Sequence, residues 1–164
     1  MKKINKYYEP GKLKTLLDNE KKKGKKIALA NGGFDLIHIG HIRYLKAAKK
    51  IADILVVALN SDRSLKKLKG EKRAVIDEKG RVKIISALDF VDFVTVFDQL
   101  RVDDVLLTLK PDFHCKGSDY TPETVPERET VLSYGGKIKI VGGRKIRSTS
   151  DIIKNVKVNE VRKQ

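Results

Sequence analysis

Cysteine, tryptophan and long apolar runs are absent or nearly absent from this chain of 164 residues. The single cysteine, Cys115, has no partner for an intrachain disulfide, which favours a reducing, cytoplasmic setting. No apolar run reaches the roughly 18 residues that a membrane-spanning helix requires. Residues 1–6 are not followed by the apolar core of a signal peptide. We therefore expect a cytoplasmic protein that has no membrane span.

Acidic and aromatic residues are scarce beside lysine and arginine. The net charge is +15, and only 6% of the residues are aromatic. Such a charge raises the possibility of nucleic-acid binding, but the densest lysine run, residues 21–26, contains no aromatic residue on which a base would stack. A solvated basic surface that attracts polyphosphate substrates is the better interpretation. Nucleic-acid binding stays the weaker alternative.

Apolar runs and helical patterns alternate along the chain without a linker or an internal repeat. This order predicts a parallel sheet with helices on both faces and right-handed crossovers. We predict strands at 26–31, 54–59, 90–97, 112–115 and 137–141. We predict helices at 11–23, 39–52, 81–88, 102–109, 122–134 and 149–156, and a lysine-rich loop at 63–77.

Ligands of such sheets bind at the carboxyl ends of the strands. Here residues 31–33, 60–62 and 116–119 follow the first, second and fourth predicted strands. These three segments should therefore converge on one crevice.

The most informative stretch is residues 32–41, Gly-Gly-Phe-Asp-Leu-Ile-His-Ile-Gly-His. It joins the first strand to a helix, and the unpaired N–H groups at a helix start attract phosphate. His38 and His41 add donors there and would be protonated more often beside an anion. A helix cap or simple packing is the alternative for either histidine. The chain's other histidine, His114, lies in a separate segment next to Cys115, so no metal-ligand set is predicted.

A second candidate phosphate site is residues 144–150, Arg-Lys-Ile-Arg-Ser-Thr-Ser. Basic residues lead into a Ser-Thr helix start, whose hydroxyl and N–H groups bind phosphate. An ordinary serine cap is the alternative. Whether Arg144 or Arg147 would meet the triphosphate is left open.

The string Gly32-x-Phe34-Asp35-x-x-His38-x-Gly40-His41 resembles the signature of the HxGH nucleotidyltransferases. These enzymes join a nucleoside monophosphate, taken from a triphosphate, to a phosphate-bearing acceptor and release pyrophosphate. Further segments follow the family's order, at 60–62, 66–70, 91–94, 116–120 and 148–150. Together they look most like the adenylyltransferase part of bacterial ADP-heptose synthase, which acts on heptose 1-phosphate.

The resemblance covers residues 26–156. It implies a nucleotidyltransferase domain there, a helical extension over 1–25 and a charged tail over 157–164. It also implies a Rossmann-like, doubly wound, five-stranded parallel sheet of order 3-2-1-4-5, Mg2+ as cofactor, and a homo-oligomer, dimeric or larger. The chain departs from its relatives at Gly33, where they usually carry cysteine or threonine.

The resemblance also implies roles for individual residues. The catalytic set is His38, His41, Lys69 and Arg144. The nucleotide would be bound by Asn31, Gly32, Gly33, Phe34, His38, Gly40, His41, Lys116, Gly117, Asp119, Arg147, Ser148 and Thr149. The acceptor would be bound by Asp35, Asn60, Asp62, Lys66, Lys67 and Arg81. A solvated loop is the alternative for the lysines, and Asp35 has turn and magnesium roles as alternatives.

The predicted reaction is transfer of AMP from ATP to a sugar 1-phosphate, such as heptose 1-phosphate, which gives an NDP-sugar. A phosphate monoester is already ionised near neutral pH, so the reaction needs positioning and charge neutralisation instead of a nucleophilic side chain. No Ser-His-Asp or reactive-cysteine pattern is evident in the sequence. Transfer of CMP to glycerol 3-phosphate is the alternative within the fold.

Overall fold

The structure is a computed structural model that describes residues 6–71 and 74–143. Its strands are β1 (Ile27–Gly32), β2 (Ile54–Asn60), β3 (Phe93–Phe97), β4 (Phe113–Lys116) and β5 (Lys137–Ile140). Its helices are α1 (Pro10–Lys22), α2 (Ile39–Lys50), α3 (Asp62–Lys69), α4 (Glu78–Ser86), α5 (Asp103–Leu109) and α6 (Arg128–Ser133). All neighbouring strands are parallel and their order is β3-β2-β1-β4-β5, so the predicted fold is confirmed.

The two central strands are buried on both faces because their residues are apolar at nearly every position. Along β1 and β2, Ile27, Leu29 and Val56 face one hydrophobic cluster, whereas Ala28 and Leu55 face the other. This alternation follows from the two-residue period of a strand. Helices α1, α5 and α6 cover the first face, and α2 and α4 cover the second.

The N-terminal segment completes the edge of the sheet beside β3. The Tyr8 N–H donates to the Val94 carbonyl at 3.0 Å, and the Val94 N–H donates to the Lys6 carbonyl at 2.8 Å. Helix α1 then buries Leu13 and Leu17 completely in the core. Each such leucine contributes about 2 kcal/mol through removal of apolar surface from water. The segment therefore packs into the same core as the sheet.

The prediction of a loop over 63–77 was wrong for its first half, which forms α3. Ser61 caps this helix, since its hydroxyl accepts the Ser64 N–H at 3.0 Å. Leu65 anchors it in the core with 1% exposure. The sequence interpretation missed the Ser61 cap and the Leu65 anchor because lysine dominates the composition of this segment. The helix predicted at 122–134 is confined to α6, because Pro126 lacks an N–H group and restricts the residue before it.

Helix α4 begins at Glu78, earlier than predicted, because the Asp77 carboxylate caps it by accepting the Gly80 N–H at 2.6 Å. Within residues 6–71 and 74–143, no helix is long and apolar enough to span a membrane. The predicted helix at 149–156 lies outside the described residues.

Candidate functional site

A cleft of about 150 Å³ opens at the carboxyl ends of the central strands. Its wall brings together seven residues that the sequence predicted for the site, and adds Tyr44 and Leu65, which it did not. The lining comprises Asn31, Gly32, Gly33, Phe34, Asp35, His41, Tyr44, Leu65 and Lys69. Of the three segments predicted to converge on one crevice, the lining contains residues 31–33 and no residue of 60–62 or 116–119, so the cleft is centred on the turn between β1 and α2.

His38 and His41 form a stacked pair at the start of α2. Their ring centroids lie 3.8 Å apart, with 28° between the ring planes. His38 is the N-cap residue, and its Nδ1 accepts the Gly40 N–H at 3.1 Å. An accepting Nδ1 carries no proton, so the neutral His38 ring holds its proton on Nε2. The cap interpretation thus holds for His38, and the cap itself fixes its tautomer.

His41 offers a buried polar atom at the cleft. Its Nδ1 has no hydrogen-bond partner within the described part of the chain. Burial, together with the neighbouring His38 and Lys69, lowers the pKa of His41 to about 4. The ring is therefore neutral at pH 7 before a ligand arrives. A polyanion beside it would favour the protonated form.

Asp35 ties the turn to the segment that precedes α4. This residue is 5% exposed, and its Oδ1 accepts the Ile76 N–H at 2.9 Å. Its Oδ2 is buried and has no hydrogen-bond partner among the residues described. One oxygen therefore serves the turn, and the other is buried beside the cleft.

Arg81 lies beneath the cleft and is completely buried. Its guanidinium donates to the carbonyls of Gly33 at 2.7 Å, Asn60 at 2.8 Å and Ile76 at 3.1 Å. It also pairs with the Asp62 carboxylate at 2.7 Å. These contacts clamp the ends of β1 and β2 together. The hydrogen bonds of Arg81 thus have a structural role. A contact between Arg81 and the acceptor stays a prediction.

The other predicted acceptor residues differ in how they face the cleft. The Asn60 amide donates to the Ser64 hydroxyl at 2.9 Å, and the second Asp62 oxygen accepts the Glu78 N–H at 3.0 Å. On α3, Lys69 lines the cleft, while Lys66 and Lys67 do not. Gly117 and Asp119 follow β4 and also lie outside the lining. Their ligand contacts stay predictions.

The departure at Gly33 has a steric reason. A Cβ atom at this position would lie 2.6 Å from Leu65 Cδ1. Leu65 thus occupies the space that a side chain at position 33 would need, and a larger residue would have to displace it. Glycine at 33 and leucine at 65 are matched to one another in this chain.

A buried polar cluster lies behind Asn31. Asn31 Oδ1 is 3.1 Å from Lys116 Nζ and 3.1 Å from His114 Nε2, and Glu127 pairs with Lys116 at 3.1 Å. His114 belongs to the core, since it is 0% exposed. Glu127 was missed because no local pattern relates it to a strand end. Arg144, Arg147, Ser148 and Thr149 lie outside the described residues, so the second phosphate site stays a prediction.

His114 should make stability depend on pH. Burial, together with the nearby Lys116, lowers its pKa from an ordinary value of 6.5 to about 3. As the pH falls below about 6.5, His114 becomes protonated in the unfolded chain but stays neutral in the folded chain. The free energy of unfolding therefore falls by up to about 1.4 kcal/mol per pH unit. Calorimetric melting temperatures between pH 7 and 5 should decline more steeply in the unmodified protein than in His114→Gln, which retains an N–H donor. Identical slopes would contradict this assignment.

The profile of the cytidylyltransferase-like family matches residues 29–163. Bifunctional protein HldE of Geobacter metallireducens is 48% identical over 141 residues, which cover 86% of this chain and 29% of that protein. Bifunctional protein HldE of Pelobacter propionicus is 46% identical over 144 residues, which cover 88% of this chain and 30% of that protein. The chain thus spans less than a third of the length of these curated relatives.

A solved structure is also similar. The lipopolysaccharide core biosynthesis protein from Thermoplasma volcanium superposes with a TM-score of 0.60 at 32% identity. The match covers 72% of this chain and 95% of that one. With the HxGH turn in its strand-to-helix position, these matches establish that the chain belongs to the cytidylyltransferase-like family of nucleotidyltransferases.

Proposed function

We propose that this protein transfers AMP from ATP to a sugar 1-phosphate, with heptose 1-phosphate as the preferred acceptor, and releases pyrophosphate. The observation that carries the proposal is the histidine pair at the start of α2. It combines His38 as the N-cap of α2, a stacked His41 and the buried His41 Nδ1 atom at a cleft. The names of the similar proteins support a sugar-phosphate acceptor, because one of them is a lipopolysaccharide core biosynthesis protein.

The chemistry requires two polyanions to meet in line. The acceptor phosphate oxygen attacks the α-phosphorus of ATP, and the bond to the β-phosphate bridging oxygen breaks as pyrophosphate leaves. The acceptor is its own nucleophile, so the protein's contribution is positioning and stabilisation of charge. The N-terminal end of α2 and Lys69 supply positive potential at the cleft, and a bound polyanion would favour protonation of His41.

Mg2+ fits the chemistry of the cleft. The buried Asp35 Oδ2 atom is a hard oxygen ligand, and Mg2+ usually completes its shell with phosphates and water. Within the described residues, no group of three or more His, Cys, Asp or Glu side chains could hold a metal ion by itself. Asp35 is therefore the residue that would contact the ion. When bound, the ion neutralises charge on the phosphates.

CMP transfer to glycerol 3-phosphate is the second candidate, favoured by the name of the matching family profile. The cleft geometry alone does not select the base, since the described lining is made largely of the phosphate-binding turn. The Lys-Gly-Ser-Asp-Tyr segment at 116–120 favours the heptose enzymes by resemblance. Homo-oligomer formation is a further part of the proposal.

A pyrophosphate-release assay tests substrate choice. ATP, CTP and GTP would each be combined with heptose 1-phosphate and with glycerol 3-phosphate, with reactions that lack acceptor as controls. We expect the fastest release with ATP and heptose 1-phosphate. Preference for CTP with glycerol 3-phosphate would replace the first candidate by the second. Release with no pair, together with tight and salt-sensitive binding to duplex DNA, would favour the nucleic-acid alternative.

A further inference from the structure

Three buried polar side chains form a cluster with Asn31 behind the cleft wall. Lys116 is 8% exposed, Glu127 is 4% exposed and His114 is fully buried. Both Lys116 Nζ and His114 Nε2 lie 3.1 Å from the same atom, Asn31 Oδ1. Asn31 itself lines the cleft. The cluster therefore joins three buried groups to one residue that can touch a ligand.

The chemistry of the cluster determines how the Asn31 amide is oriented. An ammonium group has three donors and no acceptor, so only the amide oxygen can face Lys116. A flipped amide would set its NH2 group against the ammonium. With Oδ1 accepting from Lys116, neutral His114 donates to the same oxygen through Nε2–H. The amide nitrogen is then directed away from the cluster.

Resting on the proposed function, we propose that Lys116, His114 and Glu127 are positioning residues that hold Asn31 so that its amide nitrogen donates to an oxygen of the bound nucleoside triphosphate. Glu127 acts at the far end of the cluster. Its carboxylate lies 3.1 Å from Lys116 Nζ and supplies the negative charge that a buried ammonium needs. A neutral amine has a lone pair and would accept from the amide nitrogen as readily as it donates to the oxygen. The charge on Lys116 is therefore what makes the orientation unique.

Several groups act on the charge of Lys116. Burial lowers its pKa, Glu127 and Asp103 raise it, and Arg101 lowers it. His114 is hydrogen-bonded to the same amide oxygen, and the Tyr120 ring lies 5.4 Å from Nζ. Without Glu127, the balance shifts toward the neutral amine. Lys116 would then lose its proton at a lower pH than in the unmodified protein.

The first test replaces the donor directly. Asn31→Asp keeps an oxygen for Lys116 and His114 but presents a second oxygen, with negative charge, in place of the amide nitrogen. We expect calorimetric binding of ATP to weaken by about tenfold or more, the effect of one lost hydrogen bond to a charged group. The melting temperature should stay at or above that of the unmodified protein, because the new carboxylate pairs with Lys116. ATP affinity within twofold of the unmodified protein would overturn the assignment of Asn31 as donor.

The second test separates positioning from simple stability. Glu127→Gln, at the residue that precedes α6, is compared with Glu129→Gln, whose side chain is 88% exposed in the first turn of that helix. For Glu127→Gln, the measured quantity is its ATP affinity divided by that of the unmodified protein. This ratio should be near one at low pH. It should fall about tenfold or more as the pH rises through the lowered pKa of Lys116. Glu129→Gln should give a ratio near one throughout.

The outcomes distinguish this inference from the proposed function. A constant ratio for Glu127→Gln, with ATP bound and pyrophosphate released by the unmodified protein, would overturn the positioning role and leave the function standing. Failure of the unmodified protein to bind any triphosphate would overturn both. An affinity ratio that depends on pH for Glu127→Gln, and not for Glu129→Gln, would support the inference that the cluster orients Asn31.

Discussion

Replacing His41 by alanine should lower turnover by about a hundredfold or more, the scale of a lost oxyanion-hole donor. The imidazole borders the cleft, and its Nδ1 atom has no hydrogen-bond partner within the described residues, so a ligand is its natural partner. The melting temperature should change little, because removing the ring also removes a buried atom without a partner. Single-turnover pyrophosphate release and calorimetry would measure the two effects separately.

Lys50→Ala provides the control for His41→Ala. Lys50 is exposed at the other end of α2, so its removal should leave turnover unchanged. His38→Asn adds a comparison, because asparagine retains the ability to cap α2 but lacks the ring. Full activity of a well-folded His41→Ala protein would show that the histidine pair is a packing feature.

Replacing Arg81 by methionine should destabilise the fold by about 3 kcal/mol or more, because each buried carbonyl group that loses its donor costs about 1–3 kcal/mol. Methionine fills much of the same volume but leaves the carbonyls of Gly33 and Asn60 without their donor. A loss of that size corresponds to a decrease in melting temperature of roughly 6–12 °C for a chain of this length. Denaturant unfolding and calorimetry would both report it.

The matched control is Arg63→Met. Arg63 pairs with Asp98 at the surface, where both side chains are well exposed, so its loss should cost less than about 1 kcal/mol. Equal melting temperatures for Arg81→Met and the unmodified protein, with loss of acceptor binding alone, would instead favour the acceptor role predicted from the resemblance. Arg81 would then be a ligand contact and not a clamp.

Most of the fold was predictable because the strand signals are local. The apolar runs that became β1 and β2 are continuous, and their burial is complete apart from the residues at the end of β1. The strand order came from the resemblance and not from periodicity. Helix α3 was missed because its surface lysines dominate the composition, while its two anchors, the Ser61 cap and Leu65, are single residues.

The sequence predicted the residues of the turn between β1 and α2, but it did not predict the site residues contributed by more distant segments. The turn residues are consecutive in sequence, so one motif indicated Gly32, Gly33, Phe34, Asp35 and His41 together. Tyr44 and Glu127 depend on contacts between distant segments. The Tyr44 hydroxyl donates to the Cys115 carbonyl at 2.7 Å. The two residues are 71 positions apart, so no local sequence pattern predicts this contact. The same is true of the pairing of Glu127 with Lys116.

The Arg81 clamp also has a consequence for the order in which the molecule assembles. Its hydrogen bonds reach back 48 residues to Gly33 and 21 residues to Asn60, so they form only after two strands and α4 have come together. Contacts of such separation are costly in chain entropy and form late in folding. Helical content, which is local, should recover earlier than the turn between β1 and α2. Under the proposed function, regained affinity for a triphosphate should therefore report complete refolding, which circular dichroism of the helices does not.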